Sequence, residues 1–387
     1  MTRSAVPHLA SLGTTVFAQY SALALATRSI NLGQGFPDTD GPLWIREAAS
    51  RAILEGRGNQ YPTSSGILEL RSAIASHQMR WYGLEYDPNT EVLVTTGATE
   101  ALAAALIALV DTGDEVIALE PFYDSYRAAI AMARGRIVPV TLAGPDYALD
   151  VDALTHAVTK RTKILLINSP HNPTGAVLSH TESEAIARVA VEYDLIVISD
   201  EVYEHMAFDR EHIPLASLPG MRERTLTISS AGKLFSLTGW KIGWVTGPED
   251  LITATRSVKQ FLTFANGGPF QYAIAEALDG GDSWLHELRS TLKNSRDQLC
   301  DGLRALGVEV HQPKGTYFAT IDVRSLGYTT ADEFCQALPQ RAGVVAIPSH
   351  VFYADPARGA AYARFAFCKK PEVIDLALAR LKAGFQS

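Results

Sequence analysis

From Glu91 to Pro248 the chain alternates short apolar runs with longer stretches of helical period. Val92-Leu93-Val94-Thr95, Glu115-Val116-Ile117-Ala118-Leu119, Ile137-Val138-Pro139-Val140, Ile164-Leu165-Leu166-Ile167, Leu195-Ile196-Val197-Ile198, Leu226-Thr227-Ile228 and Ile242-Gly243-Trp244-Val245 are nearly continuous in apolar residues, the pattern of strands covered on both faces. Glu100 to Val110 and Glu182 to Tyr193 carry helical periodicity between them. Such alternation predicts a mostly parallel, seven-stranded sheet between helices. Beyond Pro248 the pattern changes to one long charged helix from Trp284 to Leu306, strand signals at Val308-Glu309-Val310 and Tyr317-Phe318-Ala319-Thr320-Ile321, and a terminal helix around Glu372 to Leu381. The expected organisation is a large α/β domain over residues 44–280 and a smaller α+β domain built from 1–43 and 281–387.

Composition narrows the function. At 387 residues, with 47% hydrophobic and 20% charged positions, the chain has an ordinary globular balance and length for two domains. A net charge of −8 with no run of Lys or Arg argues against nucleic-acid binding. No stretch is long enough to span a membrane, and Gly13, Gln19 and Ser21 interrupt the N-terminal segment after Arg3, so a cytoplasmic location is expected. The three cysteines, Cys300, Cys335 and Cys368, are widely spaced and odd in number, and no Cys-x-x-Cys or His-Glu-x-x-His occurs. Neither a disulfide framework nor a metal site is expected.

The chemistry concentrates in Ser229-Ser230-Ala231-Gly232-Lys233, which follows the strand Leu226-Thr227-Ile228. A lysine at the end of a buried strand sits where open α/β sheets place ligands. Partial desolvation lowers its pKa and makes the free amine a nucleophile toward an aldehyde. Lys241, eight positions on, supplies a cation suited to a phosphate. Together they suggest an amine and an anion site for pyridoxal 5′-phosphate. Ser230 and Lys233 also match the Ser-x-x-Lys of serine β-lactamases, but Ser199-Asp200 continues with Glu201 and no Lys-Thr-Gly is present, which disfavours that chemistry.

Other strand ends add to this pattern. Thr96-Gly97-Ala98-Thr99 opens a helix, so its free N–H groups form an anion site or simply a strand–helix turn. In Asn168-Ser169-Pro170-His171-Asn172-Pro173 two prolines stiffen a loop that aims Asn172. Asp200 can pair with a protonated ring nitrogen or cap a helix. Arg364, in the alternating strand Tyr362 to Phe367, suits a carboxylate ligand or a structural ion pair.

With these residues the chain resembles the class I/II, fold-type I pyridoxal-phosphate aminotransferases over nearly its whole length. Asn31-Leu32-Gly33-Gln34-Gly35-Phe36-Pro37-Asp38, Asn59-Gln60-Tyr61, Glu120-Pro121-Phe122-Tyr123-Asp124 and the Lys233 segment resemble the kynurenine/glutamine/methionine subgroup. Phe122-Tyr123-Asp124-Ser125-Tyr126 and Ile167-Asn168-Ser169-Pro170-His171-Asn172 are also similar to actinobacterial N-succinyldiaminopimelate aminotransferases. The resemblance implies that Lys233 carries the cofactor as a Schiff base and that Asp200 pairs with the pyridine nitrogen. Asn172 and Tyr203, with Asn168 nearby, would meet the phenolic oxygen, and Tyr123 would stack on the ring. The amides of Ala98 and Thr99, Ser230, Lys241 and Tyr61 of a second copy would hold the phosphate. Arg364 and the Gly35 backbone would take the substrate α-carboxylate, with Asn172 and Phe17 beside it. A homodimer with composite sites is implied. Lys241 stands where aspartate aminotransferases have arginine, and Thr99 where the kynurenine group often has an aromatic residue.

Phe17, Tyr20, Phe264 and Phe352 are candidates to line the side-chain pocket, which would suit methionine, glutamine or aromatic donors passing an amino group to a 2-oxo acid. The alternative is N-succinyl-LL-diaminopimelate, an intermediate of lysine biosynthesis. The sequence places no second arginine for a distal carboxylate. A cysteine-conjugate β-lyase side activity and a non-catalytic cofactor-binding sensor are further alternatives; such sensors usually carry an attached DNA-binding domain, for which this sequence offers neither extra length nor a basic surface.

Overall fold

The computed structural model describes residues 6–9 and 12–385; Arg3 lies outside them. All seven apolar runs become strands of one sheet: β1 (Val92–Thr96), β2 (Glu115–Glu120), β3 (Arg136–Thr141), β4 (Thr162–Asn168), β5 (Ile196–Asp200), β6 (Thr225–Ser230) and β7 (Ile242–Thr246). Their spatial order is β1-β7-β6-β5-β4-β2-β3. Every pairing is parallel except those of β7, which runs antiparallel to both β1 and β6. Pro139, which has no N–H to donate, falls on β3 at the sheet edge, where a missing ladder bond costs little.

Alternate residues of the strands feed cores on opposite faces. Val116, Ala118, Leu166 and Ile198 pack with Ala101, Leu102 and Ala105 of α2 (Gly97–Leu109), which follows α1 (Val16–Thr27) in the chain. Ile117, Leu119, Leu165 and Val197 pack on the other face with Ile186, Val189 and Ala190 of α4 (His180–Glu192), α3 (Asp124–Met132) lying between. A reciprocal capping box between Ser179 and Glu182 fixes the start of α4.

A second sheet of four antiparallel strands follows: β8 (Glu309–His311), β9 (Phe318–Asp322), β10 (Ile347–Pro348) and β11 (Tyr362–Ala366), ordered β10-β11-β9-β8. The long helix α5 (Asp282–Arg304) and the terminal helix α6 (Pro371–Phe385) cover it. Tyr20 and Ala24 of α1 and Leu32 join the same core as Leu299, Phe334 and Phe365. Ile30–Asn31 pairs in parallel with Val344–Val345, tying the N-terminal segment to this part of the chain. No helix among the described residues is long and apolar enough to cross a membrane, and the three cysteines are buried free thiols.

The strands run further than their apolar runs. β4, β5 and β6 continue into Asn168, Asp200 and Ser230, because ladder pairing persists there: Asn168 opposes Asp200, and Ser230 opposes Gly243. These polar side chains are therefore held by sheet backbone rather than by loops.

Candidate active site

The carboxyl ends of β4, β5 and β6 open into a cavity of about 380 Å³. Phe17, Gly35, Ala98, Thr99, Tyr123, Asn168, Asn172, Asp200, Tyr203, Ser230, Lys233, Lys241 and Arg364 all line it. Tyr61 does not: it is 85% exposed and packs edge-on against Phe264, at 5.8 Å between centroids. Phe264 is likewise exposed and away from the cavity, and Tyr20 lines a neighbouring opening, so neither borders the site as expected. Phe352 is fully buried behind the cavity wall.

At one end of the cavity, α2 begins directly after β1. Gly97 has φ +68°, a left-handed conformation that glycine adopts without strain, and a Cβ there would lie 3.1 Å from Lys241 Nζ. Gly243 on β7 lets the strand pass against that turn; a Cβ at Gly243 would stand 2.6 Å from the Gly97 carbonyl carbon and 2.8 Å from Ala98 N. Two glycines thus bring the N-terminus of a thirteen-residue helix, the ammonium of Lys241 and the hydroxyl of Ser230 to one place. That combination binds anions.

Asp200 also lines the cavity. Its Oδ2 accepts from the Tyr126 hydroxyl at 2.6 Å and its Oδ1 from Val202 N–H at 3.3 Å. Burial pushes its pKa up to about 6, with both hydrogen bonds opposing the shift. Asn168 braces this region: its Nδ2 donates to the Asp200 carbonyl at 2.7 Å and its Oδ1 accepts from Asn172 N–H at 2.7 Å. Asn168 lines the cavity with its polar atoms already committed.

Lys233, in the one-turn helix Ala231–Leu234, faces the cavity, and burial pushes its pKa down to about 8. Its Nζ donates to the Tyr317 hydroxyl at 2.7 Å, and that hydroxyl donates to the Gly35 carbonyl at 2.6 Å. Tyr203 crosses Tyr317 edge-on at 5.3 Å.

Arg364 projects from β11 and is fully buried. Its Nη1 donates to Asn172 Oδ1 and its Nη2 to the Gly33 carbonyl, each at 3.0 Å, while Nε has no partner. Both acceptors are neutral, so a structural ion pair does not account for this arginine. Its Cζ lies 3.9 Å from the Phe318 ring centroid and 5.2 and 5.0 Å from those of Phe17 and Phe352. Burial lowers its pKa to about 10, which still leaves it cationic at neutral pH. Because Arg364 can only donate, the Asn172 atom facing it is the oxygen, and the Nδ2 amide of Asn172 remains a donor.

Three site residues escaped the sequence reading. Tyr126 was visible only within a motif; three positions past Tyr123, it turns inward to Asp200. Tyr317 and Phe318 looked like ordinary strand residues, and only the approach of β9 to the Lys233 turn reveals their contacts.

A buried lysine amine, a buried carboxylate and an anion-binding helix terminus, together on the carboxyl edge of a seven-stranded sheet, define a fold-type I pyridoxal-phosphate enzyme. The description "Aminotransferase class I and II" matches residues 27–381, and the chain belongs to this family of pyridoxal 5′-phosphate-dependent aminotransferases. It is 53% identical to the probable N-succinyldiaminopimelate aminotransferase DapC of Mycobacterium tuberculosis, over 97% of each chain. It is 39% identical to the methionine aminotransferase of Escherichia coli, again over 97% of each. The solved structure of the M. tuberculosis N-succinyldiaminopimelate aminotransferase superposes with a TM-score of 0.95, covering 98% of this chain and 99% of that one.

Proposed function

We propose that this aminotransferase moves the amino group of N-succinyl-LL-diaminopimelate to a 2-oxo acid. The observation that carries this reading is the 53% identity along nearly the full length of both chains, against 39% for the methionine enzyme. The second reading, a methionine-, glutamine- or aromatic-type donor, draws on the rings of Phe17, Phe318 and Phe352 packed around Arg364.

The cavity fits the family's cofactor on its own chemistry: an anion seat at Gly97–Thr99, Ser230 and Lys241, the buried carboxylate of Asp200 and the amine of Lys233 all line it. When bound, pyridoxal 5′-phosphate supplies an aldehyde that links to amines and a ring that draws electrons from the substrate Cα. In this reading the amides of Ala98 and Thr99, with Ser230 and Lys241, would bind the phosphate. Asp200 would keep the pyridine nitrogen protonated, and Tyr126, which donates to its carboxylate, would hold that carboxylate ionised. Asn172 Nδ2 and the Tyr203 hydroxyl would donate to the phenolic oxygen, and Tyr123 would pack against the ring. Arg364 binds the α-carboxylate, which orients the Cα–H bond toward Lys233. Lys233 Nζ, whose pKa burial lowers to about 8, takes that proton in its neutral form and returns it as a general acid–base. Tyr317 holds the amine in place, and the Gly35 backbone flanks the carboxylate seat.

Tyr61, exposed in this chain, would reach the phosphate of a second copy, and the working unit in this reading is a homodimer with composite sites. We assign residues 44–280 to the cofactor-binding domain and 1–43 with 281–387 to the small domain, and place the enzyme in the cytoplasm, where its buried thiols stay reduced. The test is kcat/KM of the holoenzyme for N-succinyl-LL-diaminopimelate and for L-methionine, with 2-oxoglutarate as acceptor. A preference for the succinyl donor of about tenfold or more, equivalent to about 1.4 kcal/mol of transition-state binding, supports the reading. A preference for methionine overturns it.

A further inference from the structure

The cavity at Lys233 adjoins a second one. Phe17 and Tyr123 line both; the second, an opening of about 730 Å³, is bounded by the start of α1, by α3 and by the turn Ser349–Phe352. A donor with its α-carboxylate on Arg364 and its reacting carbon toward Lys233 can extend its side chain past those two rings. Among the described residues lining the outer opening, Arg127 is the sole lysine or arginine.

Arg127 stands four positions after Tyr123, about one turn into α3. Its guanidinium donates to the Tyr353 carbonyl at 2.9 Å and lies 5.5 Å from the Phe122 ring centroid. The residue is exposed, and its remaining N–H groups meet no acceptor among the described residues. Tyr353 follows Phe352, whose ring lies 5.0 Å from Arg364 Cζ, so the segment that Arg127 holds also packs against Arg364. Two carboxylates share the outer opening. Asp332 lies 3.2 Å from His350 Nδ1, and Asp124 is half-buried at the start of α3.

Resting on the substrate reading above, we infer that Arg127 binds a carboxylate at the far end of the donor and thereby selects long, multiply anionic donors over short ones. N-succinyl-LL-diaminopimelate carries a second backbone carboxylate and a succinyl carboxylate, both several bonds beyond the reacting carbon. Methionine has no distal carboxylate, and that of glutamate lies only two methylenes from the reacting carbon. A planar fork with free N–H groups suits such a group, and its exposure keeps the desolvation cost low.

The experiment compares wild-type, Arg127→Gln and Arg127→Lys holoenzymes with N-succinyl-LL-diaminopimelate and with L-glutamate. Loss of a charge-assisted hydrogen bond is expected to raise KM for the succinyl donor about tenfold in Arg127→Gln, with kcat and the glutamate KM within about twofold of wild type. Arg127→Lys is expected to fall between, since it keeps the charge and loses the fork. If the wild type turns over the succinyl donor and Arg127→Gln leaves its KM unchanged, or raises both KM values alike, the subsite is wrong and the substrate reading stands. If the wild type does not turn over the succinyl donor at all, the substrate reading falls and the subsite falls with it.

Discussion

Substituting Tyr126 by Phe isolates the group that holds Asp200 ionised. The hydroxyl donates to Asp200 Oδ2 at 2.6 Å between two buried residues. A hydrogen bond to a charged group contributes about 1.5–3 kcal/mol, and 1.36 kcal/mol corresponds to one pKa unit. The bond stabilises the carboxylate, so its loss disfavours ionisation and moves the Asp200 pKa upward, by about one to two units from its value of about 6. The phenyl ring still fills the same core beside Phe122 and Ala129, which keeps the fold in place. The assay is the affinity of the apoprotein for pyridoxal 5′-phosphate, read by absorbance across neutral pH. Ionised Asp200 favours the cationic pyridine nitrogen, so affinity is expected to fall as pH drops through about 6 in the wild type. In Tyr126→Phe the same fall is expected about one to two units higher. At pH 7 the variant would then bind roughly twofold to tenfold more weakly, and the two curves would converge in alkali. Coincident pH profiles would refute the assigned link between Tyr126, Asp200 and the ring nitrogen.

Arg364→Gln is expected to weaken every α-carboxylate donor by about 2 kcal/mol or more, roughly thirtyfold in KM, while leaving the cofactor spectrum intact; an unchanged KM would make the arginine structural. Gly243→Ala drives a methyl group into the Gly97–Ala98 backbone, so a stability loss of about 1–3 kcal/mol and weaker phosphate binding are expected, measured by thermal melting and cofactor titration. The reaction of apoprotein with pyridoxal 5′-phosphate is expected to accelerate with rising pH and level off above about 8, because only the neutral amine of Lys233 reacts and burial lowers its pKa; a midpoint near that of a free lysine would contradict this.

How much of this was legible beforehand depended on sequence distance. Six of the seven strands announced themselves because they are buried on both faces and so read as nearly continuous apolar runs, whereas β3 at the sheet edge is partly exposed. Asp200 was legible because it ends such a strand, Lys233 and Asn172 because they follow one within a few residues, and Arg364 because it interrupts an alternating apolar strand. Contacts between distant segments were not. Tyr126 and Asp200 are separated by 74 positions, and Tyr317 and Lys233 by 84. Their pairing is decided by helix register and by how β9 packs over the Lys233 turn, neither of which has a local signature. Arg127 carries no signal in the sequence, because the meeting of two cavities at Phe17 and Tyr123 is a tertiary feature. Phe264 misled for the converse reason: an aromatic residue near the right place in the chain turned outward beside Tyr61.

The most direct measurement is the visible absorption spectrum of the holoenzyme titrated with N-succinyl-LL-diaminopimelate in the absence of any oxo acid. The yellow band is expected to bleach to the pyridoxamine form, at lower concentrations than L-methionine requires. A band that methionine bleaches and the succinyl donor leaves untouched would contradict the assigned substrate.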